Sequence, residues 1–146
     1  MIEIFTIGFT QKSARQFFDL LKNNGVAELV DTRISNQSQL AGFAKSDDLA
    51  FFTQAICGIS YSHQLDFAPT KELLSKYRKD EISWQEYEVE YLNLLDLRRI
   101  AHKADVAHLH CRCLLCSEHT PEFCHRRLLA EYLQAKFSGI SIKHLM

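Results

Sequence analysis

Proline is scarce in this chain, glycine is sparse, and charge of either sign is not in excess. Among 146 residues there are two prolines, Pro69 and Pro121, and both fall near expected helix starts, where proline is tolerated. The five glycines form no G-x-G-x-x-G or P-loop pattern, which excludes the usual nucleotide fingerprints. The step Thr6-Ile7-Gly8-Phe9-Thr10 offers one glycine only. No G-x-S-x-G occurs, so a serine-hydrolase elbow is not expected. No run approaches the roughly 18 apolar residues of a membrane span. The start, Met1-Ile2-Glu3-Ile4-Phe5, lacks the basic and long apolar stretches of a signal peptide. A net charge of -1 argues against general capture of nucleic acid or anionic membrane and leaves only a local basic patch.

Cysteine is present but does not read as a disulfide framework. The count is five, and Cys111, Cys113, Cys116 and Cys124 crowd one end of the chain. A secreted scaffold would space them through the sequence. Free thiols in a reducing cytoplasm are the expectation.

Apolar periodicity alternates between strand and helix. Ile2 to Ile7 reads as a strand closed by Gly8. Ser13 with Gln16 forms a capping-box pattern, and Phe17, Leu20 and Leu21 follow at helical spacing. Val26 to Val30 is a second strand, leading to Asp31-Thr32-Arg33 and a polar loop from Ser35 to Ser38. Asp47 to Ile56 has helical spacing, and Ile59 to Leu65 is a weaker strand. Thr70 caps a helix to about Arg78, and Ser83-Trp84-Gln85-Glu86 opens a longer one with the stripe Trp84, Tyr87, Tyr91 and Leu95. Val106 to Leu115 reads as a fourth strand, with Cys111 and Cys113 sharing a face with Leu109 and Leu115. Cys124 to Phe137 is a last helix, and Ile140 to Ile142 a final strand. This order predicts an α/β fold, a single-domain three-layer sandwich over residues 1–146 with a mainly parallel sheet of about five strands flanked by helices.

Right-handed crossovers bring all the strand C-termini to one edge, where ligands of open α/β sheets bind. Three polar loops meet that edge: Gly8 to Lys12, Asp31 to Lys45 and Cys116 to Phe123. Glu118, just past the strand, is expected at a partly dehydrated rim, as a general acid or base. Cys124 is expected at a helix N-terminus, where the dipole lowers a thiol pKa and free N–H groups attract anions. His125 and Arg126 add donors suited to phosphate or carboxylate. Asp31 and Arg33 either bind ligand or pair with each other across the turn, and Gly8 permits close approach of a ligand or chain. Cys116, Cys124 and His125 could instead converge on zinc or iron. Against that stands the single C-x-x-C pair, Cys113 and Cys116, whose members point to opposite faces of a strand.

These motifs together resemble the bacterial and archaeal family catalogued as Domain of Unknown Function 488. The likeness is carried by Thr6-Ile7-Gly8, Val30-Asp31-Thr32-Arg33, Gly42-Phe43-Ala44-Lys45, Ala68-Pro69-Thr70-Lys71-Glu72-Leu73 and Ser83-Trp84-Gln85-Glu86-Tyr87. Most specific are Leu115-Cys116-Ser117-Glu118 and Cys124-His125-Arg126-Arg127-Leu128-Leu129-Ala130-Glu131-Tyr132-Leu133. The resemblance implies one compact α/β domain and motif positions at Asp31, Arg33, Glu118, Cys124, His125 and Arg126. It implies no activity. The chain departs from the family after the Asp-x-Arg step: where members often carry Pro and further Arg, it has Ile34-Ser35-Asn36-Gln37-Ser38-Gln39.

The leading expectation is an enzyme acting on a small anionic ligand, a nucleotide or nucleic acid included. Glu118 and Cys124 are then catalytic, and Gly8, Asp31, Arg33, His125 and Arg126 bind the ligand. The alternatives are a metal or redox module on Cys116, Cys124 and His125, and a non-catalytic subunit that binds nucleic acid or protein. The sequence leaves the oligomeric state open.

Overall fold

In the computed structural model, which describes residues 1–37 and 42–146, five strands form one sheet in the order β3-β2-β4-β1-β5. They are β1 (Ile2–Gly8), β2 (Glu28–Asp31), β3 (Ser60–His63), β4 (Arg112–Cys116) and β5 (Ile140–Leu145). Every pairing is parallel. Residue 38 of the expected polar loop lies outside the described residues.

Among the described residues six α-helices cover the sheet: α1 (Ala14–Asn23), α2 (Ser46–Phe52), α3 (Lys71–Arg78), α4 (Trp84–Leu97), the single turn α5 (Ile100–Lys103) and α6 (His125–Lys136). Three begin at the caps that their sequences announce. Ser13 with Gln16, and Ser83 with Glu86, close reciprocal capping boxes, and Thr70 accepts from the Leu73 amide. Such caps satisfy N–H groups that a helix start otherwise leaves unpaired.

Strand alternation sorts the side chains into two cores. Phe5, Ile7, Leu29, Cys113 and Leu115 face α1 and α2, meeting Phe17, Phe18, Leu21 and Leu49. Ile4, Val30, Leu114 and Ile140 face the other layer, meeting Leu73, Tyr87, Tyr91, Leu129 and Leu133 of α3, α4 and α6. Helix α2 continues through Phe52 into a wide π turn, Thr53–Cys57.

The fourth strand is shorter than its apolar run suggests. Val106–Leu109 forms a 3-10 turn, and both of its end residues pack against the α4/α6 core. Their three-residue spacing is helical, not alternating. Cys111 then takes φ 62 and ties the chain to both neighbouring strands: its amide donates to the Glu3 carbonyl (2.8 Å) and its carbonyl accepts from Ala27 (2.8 Å). The strand starts only at Arg112, and Leu109 joins the opposite core, while Cys111, though outside the strand, still packs on the side of Cys113 and Leu115.

The chain leaving β2 goes to α2 on one face, whereas the chain leaving neighbouring β4 goes to α6 on the other. Where neighbouring connections diverge like this, a crevice opens at the C-terminal ends of the strands.

Candidate functional site

Two strand ends and one helix start meet at that crevice. Strand β4 sends Cys116 to the α6 side, one residue after Leu115 has pointed into the opposite core. Strand β2 ends at Asp31, opposite Leu115 in register, and its continuation stays stitched to β4. The Thr32 amide (3.0 Å) and hydroxyl (2.7 Å) both donate to the Leu115 carbonyl. Cys124 is the N-cap of α6 and makes no side-chain capping bond, so its sulfur is left for other partners.

His125 bridges the two strand ends. Its Nε2 lies 2.8 Å from the Thr32 carbonyl and 3.0 Å from the Thr32 hydroxyl. That hydroxyl has already given its proton to Leu115, and a carbonyl can only accept. Nε2 must therefore carry a hydrogen. The other nitrogen, Nδ1, faces the Cys116 sulfur at 3.5 Å. The ring also meets the edge of Tyr91, with centroids 5.6 Å apart. Cys116, Cys124 and His125 are all buried, and their ligand atoms lie within 4.8 Å of one another, a grouping that could hold a metal ion.

The protons of this cluster are unevenly shared. A hydrogen bond from Cys124 holds the Cys116 thiol well below its ordinary range, helped against the cost of burial by the His125 and Arg126 charges. Burial pushes Cys124 up, and its bond to the Cys116 sulfur and that sulfur's charge push the same way. Burial pulls His125 down, but the Cys116 charge, its hydrogen bond and the Thr32 carbonyl more than offset it, so the imidazole stays protonated to higher pH. Of the two thiols Cys116 is therefore the one that loses its proton first, with Cys124 as the donor to it, and His125 is shifted toward its cation. The helix-start argument had favoured ionisation of Cys124; burial and donation to a neighbouring sulfur reverse it.

A cavity of about 120 Å³ opens beside the cluster, bordered by Arg33, Arg78, Cys116, Ser117, Glu118, Cys124 and His125 and walled by apolar groups including Trp84 and Tyr87. The indole and phenol rings of that wall are stacked, 4.9 Å between centroids and 15° apart. Arg33, Glu118, Cys124 and His125 thus meet around one space, as the sequence suggested. Glu118 is exposed at the rim and not dehydrated as expected, because the loop turns out of the sheet after Cys116.

Gly8, Asp31 and Arg126 sit behind the cavity and shape it. Asp31 binds Arg33 through both carboxylate oxygens, at 2.9 and 2.7 Å, and Arg33 also donates to the Ala44 carbonyl at 2.8 Å. The pair is buried, with side chains 0% and 3% exposed, so it is not the weak surface bridge considered from sequence. Arg126, fully buried, spends its Nη1 on the Glu118 carbonyl (2.6 Å) and the Cys124 sulfur (3.5 Å), and its Nη2 on the His119 carbonyl (3.4 Å). It holds the loop that carries Glu118. Gly8 makes room for this: a Cβ there would fall 1.6 Å from the Glu118 carbonyl oxygen and 2.8 Å from Arg126 Nη1.

Sequence reasoning missed Thr32 and Arg78; the helical stripe of Trp84, Tyr87 and Tyr91 packs in the α3/α4/α6 core, while Trp84 and Tyr87 also wall the cavity. Nothing in the local pattern of Arg78 signals a cavity. The Asp31-Thr32-Arg33 step drew attention to its charges, while the atom that matters most at Thr32 is a backbone carbonyl. Among the described residues no helix is long and apolar enough to cross a membrane.

Comparison with known proteins adds a family and no activity. The family model described as Domain of unknown function DUF488 matches residues 13–133, most of the chain, and the chain belongs to that family. No curated protein and no solved structure matches it.

Proposed function

We propose that this member of the DUF488 family is a cytoplasmic enzyme for a small ligand bearing a phosphate or carboxylate. The ligand binds between the ends of β2 and β4. Arg33 and Arg78 face its negative charge, and Trp84 and Tyr87 flank its apolar part. Glu118 exchanges protons with solvent at the rim, and Cys116, Cys124 and His125 are the reacting centre. The supporting observation is that all these groups border one cavity at the switch point of the sheet. Among the described residues Arg78 has no ion-pair partner, so its charge is free to meet an anion, whereas that of Arg33 is largely matched by Asp31. Five free cysteines fit a reducing compartment.

The single tryptophan of the chain lies on the cavity wall, so intrinsic fluorescence reads occupancy directly. Titration with inorganic phosphate, a nucleoside monophosphate, a dicarboxylate and a short oligonucleotide should give a saturable signal with at least one probe. Arg78→Ala should weaken that binding about tenfold, equivalent to ~1.4 kcal/mol, and Glu118→Gln should slow turnover more than it weakens binding. No saturable signal from any of these probes, or equal binding by Arg78→Ala, overturns the proposal. An oligonucleotide signal without turnover makes the site a nucleic-acid binding surface instead.

A further inference from the structure

We propose that Cys116, Cys124 and His125 form a zinc-class metal centre with three protein ligands, its fourth position open to the cavity for water or an anionic oxygen of the ligand. The inference rests on the cavity reading above and adds a cofactor to it. Soft thiolates with an imidazole suit zinc and exclude magnesium or calcium, and three protein ligands with one open position is the arrangement of catalytic zinc.

The distances fit. Zinc binds sulfur at about 2.3 Å and nitrogen at about 2.0–2.1 Å, so a tetrahedral angle sets the two ligand atoms about 3.5 Å apart. Cys116 Sγ and His125 Nδ1 are 3.5 Å apart, and all three ligand atoms lie within 4.8 Å. The ring is already turned for the role. A ligating histidine almost always donates its second N–H to a carbonyl or carboxylate, which fixes tautomer and orientation, and His125 gives Nε2–H to the Thr32 carbonyl at 2.8 Å. The sulfur of Cys124 accepts from Arg126 Nη1 at 3.5 Å, a contact that offsets thiolate charge. The ligands come from β4 and from the first turn of α6, both packed in the core, so the site is held in shape before any ion arrives. The remaining cysteines cannot join: Cys113 is buried in the phenylalanine core on the opposite face of the sheet, and Cys57 and Cys111 pack against that same core.

The test uses the full chain, stripped with a chelator and kept reduced, with circular dichroism to establish that it is folded. Cobalt(II) added alone should bind at one equivalent. It should give thiolate-to-cobalt absorption in the near ultraviolet and the intense visible bands of tetrahedral cobalt, and zinc should bleach both. Cys116→Ser and Cys124→Ser should each weaken binding about a hundredfold or more, since partners one shell further out are already worth about 10–100-fold; Cys57→Ser should change nothing. Inorganic phosphate should perturb the visible bands if the fourth position faces the cavity. Folded protein that gives no cobalt spectrum overturns the proposal. So does a spectrum that survives both serine variants, and bands indifferent to phosphate overturn the open position. A failed cobalt titration beside an intact fluorescence titration would remove the metal and leave the anion site standing.

Discussion

The two faces of the sheet are packed with different chemistry. The α1/α2 face is a phenylalanine core. Phe17 meets Phe18 edge-on at 5.1 Å and Phe43 at 5.3 Å, and Phe18 meets Phe52 at 6.1 Å. These rings bring area and no polar atoms. The α3/α4/α6 face is built on tyrosines, whose hydroxyls tie neighbouring segments together: Tyr91 donates to the Phe67 carbonyl at 2.6 Å, and Tyr132 of α6 donates to Asp96 of α4 at 3.0 Å. Thr6 and His144, hydrogen-bonded at 2.6 Å, continue this polar character on β1 and β5. The cavity and the thiol–imidazole cluster lie on this second face. One layer is a mostly apolar backing, interrupted at the strand ends by the buried Asp31–Arg33 pair and the Tyr61 hydroxyl bonded to it, and the other is a hydrogen-bonded surface that can position chemistry.

The sharpest way to break this contrast is to damage each face separately. Phe17→Ala should cost about 3–5 kcal/mol by opening a hole in a close-packed core. Denaturant unfolding measures this, and phosphate binding below the transition should be unchanged. A loss under ~1 kcal/mol would mean that the phenylalanine layer is not the backing described.

Gly8→Ala tests the opposite dependence. The added Cβ cannot coexist with the Glu118 carbonyl, so the loop must shift, at about 1–3 kcal/mol as for other overpacked sites. Here the binding signals should fall far more than the stability does. Unchanged titrations would show that the loop can move without deforming the cavity.

Tyr91→Phe removes one hydroxyl from the functional face. A single lost hydrogen bond contributes about 0.5–1.5 kcal/mol, and the loop at Phe67 should gain amide exchange while α1 does not. Uniform exchange across both layers would erase the distinction.

The smallest effect is in pH. Burial, then the Arg126 charge, lower the pKa of His144, so the folded state favours the neutral ring and the unfolded chain binds more protons. The contribution to stability is complete above the unfolded pKa of about 6.5 and is lost as pH falls through the lower folded value. Replacement by Gln should flatten the acid limb of a stability–pH profile below the unfolded pKa of about 6.5; an unaltered limb would assign that limb to other groups.

Much of this fold was legible because local signals agreed with the tertiary answer. Capping boxes at Ser13 and Ser83, the Thr70 cap, and apolar spacing in α1, α4 and α6 each placed an element within a few residues. The Val106–Leu109 segment failed because four apolar-rich residues fit either period, and only packing against α4 and α6 decides between them. At the site, strand ends and a helix start identified Arg33, Glu118, Cys116, Cys124 and His125 as neighbours. Which sulfur ionises could not be read that way, since it depends on burial and on a thiol-to-thiolate bond between residues eight positions apart. Arg126 looked like a ligand-binding group because guanidinium at a helix start often is; its actual targets are carbonyls of the preceding loop, which no pattern announces.

The atom that aims the imidazole belongs to the main chain at position 32. Evolutionary drift can therefore exchange the side chain there and still keep the ring turned toward the sulfurs, provided that the path of the strand persists. Homologues that have lost threonine should retain the same ring orientation, and a search for related sites is better conducted on the trace of the backbone than on the letters of the alphabet that decorate it.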